Sequence, residues 1–279
     1  MDIKFYEKQW NCAAKVLNEL RYKTDCVVDG QLTVRPFYVV CIDDDPVSAF
    51  YACKVFFACK KQFGYEPEIL CVGGTGMLSK YLNEKGCSEG QKLANVCTLL
   101  GARRIKVLDH GTNTGANLKE IIDYLGGSRE PIIFCPTLRL SLRLERTVRF
   151  STVQFPGTVP LNAYFYCPDE HIMDMAQLYN GKGLADGLPL LSEVAAIYNR
   201  IKLNQNKFNA PLDFTPSEET LKAAAYLEKH YPVRISRLPL SAPFQYLKMF
   251  LAVKYGREEV NADLREHVAK WQVMVREAL

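Results

Sequence analysis

The sequence predicts an α/β fold: a Rossmann-like, open and mainly parallel sheet with helices on both faces, plus a C-terminal helical region. Short apolar or β-rich runs recur at 36–42, 68–72, 105–108 and 131–135, and the continuous one at 36–42 has the pattern of a strand covered on both faces. Each run ends in a small or polar turn that opens into a segment with helical periodicity. Beyond about residue 168 the strand runs give way to successive helical patterns. Strand–turn–helix units in series build parallel strands joined by right-handed crossovers.

Taken in order, Phe5 to Tyr22 has an amphipathic helical pattern, with Trp10, Ala13, Val16, Leu17 and Leu20 on one side. Thr24 to Arg35 reads as irregular. The run from Pro36 to Ile42 is the first strand, and Asp43-Asp44-Asp45-Pro46 follows it. Pro46 suits the first helical position after an Asp cap, and that helix should run through Phe63 and close at Gly64. Glu68 to Val72 is the second strand. It leads through Gly73-Gly74-Thr75-Gly76 into a helical stretch from Met77 to Glu84. Ser88 then caps a further helix reaching Leu100. Ile105 to Leu108 is the third strand, with a helix from Ala116 to Leu125. Pro131 to Cys135 is the fourth, with a helix from about Leu138 to Phe150. Asn162 to Cys167 supplies a fifth. The expected C-terminal helices are His171–Tyr179, Leu190–Leu203, Glu218–His230, Ala242–Tyr255 and Val260–Ala278, with a polar, Pro-punctuated loop from Asn204 to Pro216. The organisation is therefore an N-terminal helix packed on the core (1–35), a Rossmann-like domain (36–168) and a helical region capping the sheet (169–279).

Composition narrows the class. With 48% hydrophobic and 24% charged residues, the 279-residue chain has the balance of a globular protein. Its net charge of +4 comes from dispersed Lys and Arg, so nucleic acid is not expected as a partner. No apolar run reaches the roughly 20 residues of a membrane span, and the first 20 residues do not read as a signal. Ten cysteines without a CxxC pair or Cys/His ligand spacing argue for free thiols in a reducing cytoplasm and against zinc. Cys41, Cys71 and Cys135 lie in apolar runs where a thiol acts as a small hydrophobe.

Ligands of open parallel sheets bind beyond the carboxyl ends of the strands. Four loops satisfy that rule: Asp43–Pro46, Gly73–Gly76, Asp109–Asn117, and Pro136–Arg139 with Thr137 and Arg139. Gly73, Gly74 and Gly76, with Thr75 between them, let backbone approach a ligand or simply make a tight turn. Asn113, Thr114 and Asn117 present donors and acceptors beyond what a single cap needs. Glu89 can accept from a ribose or an amine, or can complement its helix dipole. His110 lies in the same cleft and reads as solvated more readily than catalytic. Asp43, Asp44 and Asp45 repel one another and any phosphate unless a cation joins them. Asp43-Asp44-Asp45-Pro46-Val47 also fits the DxDxV nucleophile pattern of haloacid-dehalogenase-like hydrolases. In that reading Asp43 attacks phosphorus, Asp45 handles the proton and the two hold Mg²⁺; the later acidic metal pair of that family is met only by the single carboxylate of Asp109, a further catalytic candidate. Capping by one Asp with solvated neighbours is the plain alternative.

The GG loop after the second strand, the Glu89 helix start, Asp109 at a strand end, Thr112-Asn113-Thr114-Gly115-Ala116-Asn117, and Pro136-Thr137 followed by arginines together resemble the YdcF/SanA/ElyC family of bacterial proteins. The soluble YdcF branch is the most similar. The resemblance spans about Phe37 to Phe150, with a weaker echo at Glu193 and Arg200. It implies a Rossmann-like fold, and S-adenosylmethionine binding for the YdcF branch; the membrane-anchored branches imply a link to the cell envelope. By position it implies a site of Gly73, Gly74, Glu89, Asn113, Thr114 and Asn117. Ala116 stands where that family carries an acidic residue. Leu138 and Ser141 stand where it carries His and Arg, with Arg139 or Arg143 as substitutes. The expectation is thus a nucleotide-like ligand, S-adenosylmethionine first. A Mg²⁺-dependent hydrolase of a phosphorylated or envelope-related small molecule is the second reading. An interaction protein working through its C-terminal helices is the third.

Overall fold

The structure, a computed structural model, describes residues 24–42, 46–75, 87–168 and 272–277, together with Glu218, Lys222, Ala269 and Leu279. The N-terminal helix expected over Phe5–Tyr22, the helix over Met77–Glu84 and nearly all of the expected C-terminal helices lie outside the described residues.

Thr24 to Arg35 differs from its expectation as irregular chain. It holds a small hairpin, β1 (Val27–Val28) paired antiparallel with β2 (Gln31–Leu32). The turn is Asp29-Gly30, with φ of 50° and 72°. Both central residues of a primed two-residue turn need positive φ, and an Asp-Gly pair supplies them. That dipeptide was the signal in the sequence. Gln62 fixes the hairpin by accepting from Leu32 N at 2.9 Å and donating to Leu32 O at 2.8 Å.

The main sheet forms as expected, from five parallel strands. They are β3 (Tyr38–Cys41), β4 (Glu68–Val72), β5 (Ile105–Leu108), β6 (Ile132–Phe134) and β7 (Ala163–Phe165). Their spatial order is β5-β4-β3-β6-β7. The chain steps outward from β3 to β4 to β5 through α1 (Pro46–Phe63) and α2 (Glu89–Leu99). It then returns through α3 (Thr114–Leu125) to the other side of β3, and continues by α4 (Leu138–Arg149) and the short α5 (Ser151–Gln154). The strand order reverses between β3 and β6, which makes their carboxyl ends the switch point of the sheet.

Side-chain alternation along each strand divides the core in two. Val39, Cys41, Ile69, Cys71, Ile133 and Cys135 pack against α1 and α2. Val40, Ile42, Leu70, Val72, Ile132 and Phe134 pack against α3 and α4 on the opposite face. Both sets are fully buried or nearly so, which is why the strands read as unbroken apolar runs. Each Val, Ile, Leu or Phe among them contributes about 1.5–3 kcal/mol by leaving water. Helix ends follow the expected chemistry. The Ser88 side chain accepts from Gln91 N at the start of α2, and α1 closes at Gly64, φ 64°, whose N–H donates to Lys60 O. The turn at 272–277 also belongs to the core. Val275 is fully buried on the α1/α2 face, and Gln272 Nε2 donates to Leu99 O at 2.6 Å.

Ser48, in the first turn of α1, braces the switch point. Its completely buried hydroxyl accepts from Ile42 N at 3.0 Å and donates to Cys135 O at 2.7 Å. One side chain thus joins the carboxyl ends of β3 and β6.

Candidate functional site

The described candidate residues other than Thr137 gather beyond the carboxyl ends of β4 and β5, at the edge of the sheet. β4 leads into Gly73-Gly74-Thr75 and β5 into Asp109-His110-Gly111. The two turns are bonded to each other: Gly73 N donates to Leu108 O at 2.9 Å and Gly74 N to Gly111 O at 2.6 Å. The first turn of α2 is bonded to the same place. Glu89 N donates to Gly74 O and Gly90 N to Gly73 O, while Gln91 N and Lys92 N donate to the hydroxyl and carbonyl of Ser88. An α-helix begins with four N–H groups that have no partner inside the helix. In α2 the N–H groups of Glu89, Gly90 and Gln91 are bonded within the chain and Lys92 N makes the first helix bond, so the first turn offers no free donors of its own to a phosphate.

The glycines therefore answer to a different demand from the one the sequence suggested. A Cβ on Gly74 would lie 2.6 Å from the carbonyl oxygens of both Asp109 and Gly111. One on Gly90 would lie 2.7 Å from Cys71 O. Gly73 has φ 139°, and a Cβ there would meet the Glu89 side chain at 2.7 Å. Gly74 and Gly90 are bare because backbone meets backbone, and Gly73 because of its positive φ and the Glu89 side chain. Thr75 is exposed beside them, and Gly76 lies outside the described residues.

A residue absent from the sequence motifs holds the β5 turn. Glu120, in the second turn of α3, accepts from His110 N and Gly111 N and bonds His110 Nδ1 at 3.0 Å. Asn113, Asn117 and Glu120 lie four and three residues apart, hence on one helix face whose side chains lean toward the helix start. That spacing was the available signal. His110 is almost fully exposed, yet the hydrogen bond to Glu120, its charge, and then the charge of Asp109 raise its pKa above the ordinary value. A protonated imidazole here can donate to a ligand. Asp109 in turn receives a long hydrogen bond, 3.4 Å, from the Ser88 hydroxyl.

Asn113 takes the plain role considered for it. It is the N-cap of α3, its side chain accepting from Ala116 N at 3.0 Å. Thr114 is the first residue of that helix. Asn117 is different: it is 7% exposed, and its Oδ1 has no hydrogen-bond partner. An unmet buried acceptor costs about 1–3 kcal/mol and calls for a donor. Its amide packs against Gly111, where no Cβ could be accommodated.

Thr137 and Arg139 stand apart from this group. Thr137 is buried at the end of β6, its carbonyl accepting from Leu140 N and Ser141 N. Neighbouring strands lie about 4.8 Å apart, so with β3 between them the ends of β6 and β4 are separated by roughly 10 Å. Arg139 lies in the first turn of α4, and its side chain is outside the described residues, as are Asp43 and Asp45. A cavity of about 260 Å³ lined by Ile122, Gly126, Gly157 and Val159 sits at the far end of α3 and takes no part in the site.

Chemically, the site is a hydroxyl- and cation-accepting surface. Asp109 and Glu120 flank His110, Glu89 lies beside Gly73, and the first-turn N–H groups of the nearest helix are bonded within the chain. Asp109, His110 and Glu120 present one ligand atom each within 4.8 Å of one another. No helix among the described residues is long and apolar enough to cross a membrane. The chain matches no protein-family model, no curated protein and no solved structure.

Proposed function

We propose that the protein binds a nucleoside-like small molecule bearing hydroxyls and a positive charge, with S-adenosylmethionine the leading candidate, beyond the carboxyl ends of β4 and β5. One observation carries this reading: the first-turn N–H groups of α2 are bonded within the chain, while the carboxylates of Asp109 and Glu120 stand at the adjoining β5 turn, Asp109 within reach of the Ser88 hydroxyl. A pyrophosphate meets repulsion there. A sulfonium or amine meets acceptors, and ribose hydroxyls can donate to Glu89 or Asp109. The resemblance to the YdcF branch supports the same ligand class. No reaction is assigned to this binding.

Thermal unfolding with S-adenosylmethionine, ATP and sugar nucleotides, each with and without Mg²⁺, tests it. A ligand at about 100 times its dissociation constant adds roughly 2.7 kcal/mol, or about 5–10 °C in Tm for a chain of this size. The expected result is a shift with S-adenosylmethionine that Mg²⁺ does not alter and that shrinks in Asp109→Asn. Asp109→Asn is a cleaner probe than any Gly74 variant, because Gly74 is locked against backbone.

A shift confined to phosphorylated ligands with Mg²⁺ would favour the second reading, a Mg²⁺-dependent hydrolase using Asp43 and Asp45. The supporting observation for it is the strand order, since β3, which leads directly into Asp43, ends at the switch point. Turnover abolished by Asp43→Asn is its signature.

A further inference from the structure

The sheet face beneath α1 and α2 is lined with sulfur. Cys41 and Cys71 are register partners on β3 and β4, with their Sγ atoms 3.3 Å apart. Cys97 reaches down from α2 and places its Sγ 3.9 Å from that of Cys71. Cys53, from α1, points its Sγ at the Cys97 carbonyl oxygen, 4.0 Å away. All four are completely buried free thiols.

A thiol serving as a small hydrophobe accounts for any one of these positions. It does not account for sulfurs from three separate elements converging on one another, since each place could be filled by an aliphatic side chain. The Sγ atoms of Cys41, Cys71 and Cys97 all lie within 4.8 Å of one another. A point equidistant from them is roughly 2.1–2.4 Å from each, against the ~2.3 Å of a zinc–thiolate bond. We propose that Cys41, Cys71 and Cys97 form a trigonal sulfur site for a soft monovalent ion, copper(I), in the core between the sheet and helices α1 and α2.

Two considerations select that ion. Hard cations require oxygen ligands, and the cluster is sulfur throughout. Structural zinc takes four ligands in a tetrahedron, whereas three sulfurs form the compact set. The sulfurs bind as thiolates, so each coordinating thiol gives up its proton to solvent as the ion enters, and no electron is transferred. Since all the sulfurs are buried, the ion enters during folding or when a helix lifts from the sheet. Exchange should accordingly be slow.

The test uses the full chain, reduced and anaerobic, loaded with copper(I) and challenged with a chromophoric copper(I) chelator. One retained equivalent per chain is expected, with a sulfur-only first shell in X-ray absorption. Cys97→Ser and Cys71→Ala should each lose that equivalent, while Cys59→Ala, a buried thiol outside the trio, keeps it. Should a cluster variant fail to fold, alkylation mapping of the wild-type chain in mild denaturant decides: copper(I) must protect Cys41, Cys71 and Cys97 and leave Cys59 unprotected. Complete loss of copper to the chelator, a nitrogen or oxygen shell, unchanged retention in a folded Cys97→Ser, or uniform alkylation would each overturn the site. Zinc displacing copper with four sulfurs bound would overturn the trigonal monovalent assignment.

Discussion

Replacing Gly74 by Ala adds a single methyl group at the centre of the candidate site. Gly74 does not have the positive φ that would make alanine conformationally strained, so the cost is steric. The new carbon falls 2.6 Å from Asp109 O and from Gly111 O. Neither oxygen can swing aside as a side chain would, because both belong to a turn held by Glu120 and by the Gly74 N–H bond to Gly111 O. Relief requires the turn to retreat and gives up at least one of those hydrogen bonds. Overpacking costs about 1–3 kcal/mol, and each lost hydrogen bond about 0.5–1.5 kcal/mol. The sum is roughly 2–4 kcal/mol, and at about 2–4 °C per kcal/mol the drop in Tm is on the order of 4–16 °C. Calorimetric or circular-dichroism melts of Gly74→Ala measure it directly. Glu120→Ala provides the internal check, because residues sharing one pinned element do not act additively. With the turn released, Gly74→Ala should cost less in the Glu120→Ala background than alone. A Gly74→Ala protein melting within 1 °C or so of wild type, or strict additivity with Glu120→Ala, would refute the account of a pinned backbone junction.

Other expectations follow from the same geometry. Ser48→Ala removes the bridge between Ile42 N and Cys135 O and should destabilise the fold by about 1–3 kcal/mol, read as a shifted urea midpoint with an unchanged slope. A change confined to the slope would point instead to an altered unfolded state. Gly64→Ala meets nothing within 4 Å but must adopt φ 64°, so its cost should be the left-handed penalty of about 1–2 kcal/mol. A stabilising effect would contradict the cap geometry. His110, its pKa raised by Glu120 and Asp109, gains its partner in the protonated state. Its contribution is therefore full below the unfolded pKa and lost as pH rises through the folded one. An NMR titration should show the His110 pKa falling toward the ordinary value in Glu120→Gln, and an unmoved pKa would show that the ion pair does not form.

Much of this molecule is written locally. Apolar runs fixed the central strands because these are buried on both faces, as with Val39 to Ile42 and Ile69 to Val72. Caps at Ser88 and Asn113 were legible because a cap needs only its own turn. The Asp29-Gly30 hairpin was equally local, and the dipeptide carried it. What tertiary structure alone decided depends on which strand lies beside which. The return of the chain after β5 placed β3 and β6 together, putting Thr137 beside the end of β3 and away from Asn117. It also made the Gly73–Gly74 turn answer to the backbone of Asp109–Gly111, so that glycines readable as room for a ligand are room for the chain itself. Cys41, Cys71 and Cys97 are no motif in sequence. They meet because parallel register sets the first two side by side and α2 lays the third over them. Spacing along a chain reports only neighbours within one element, whereas contacts across a sheet are chosen by topology.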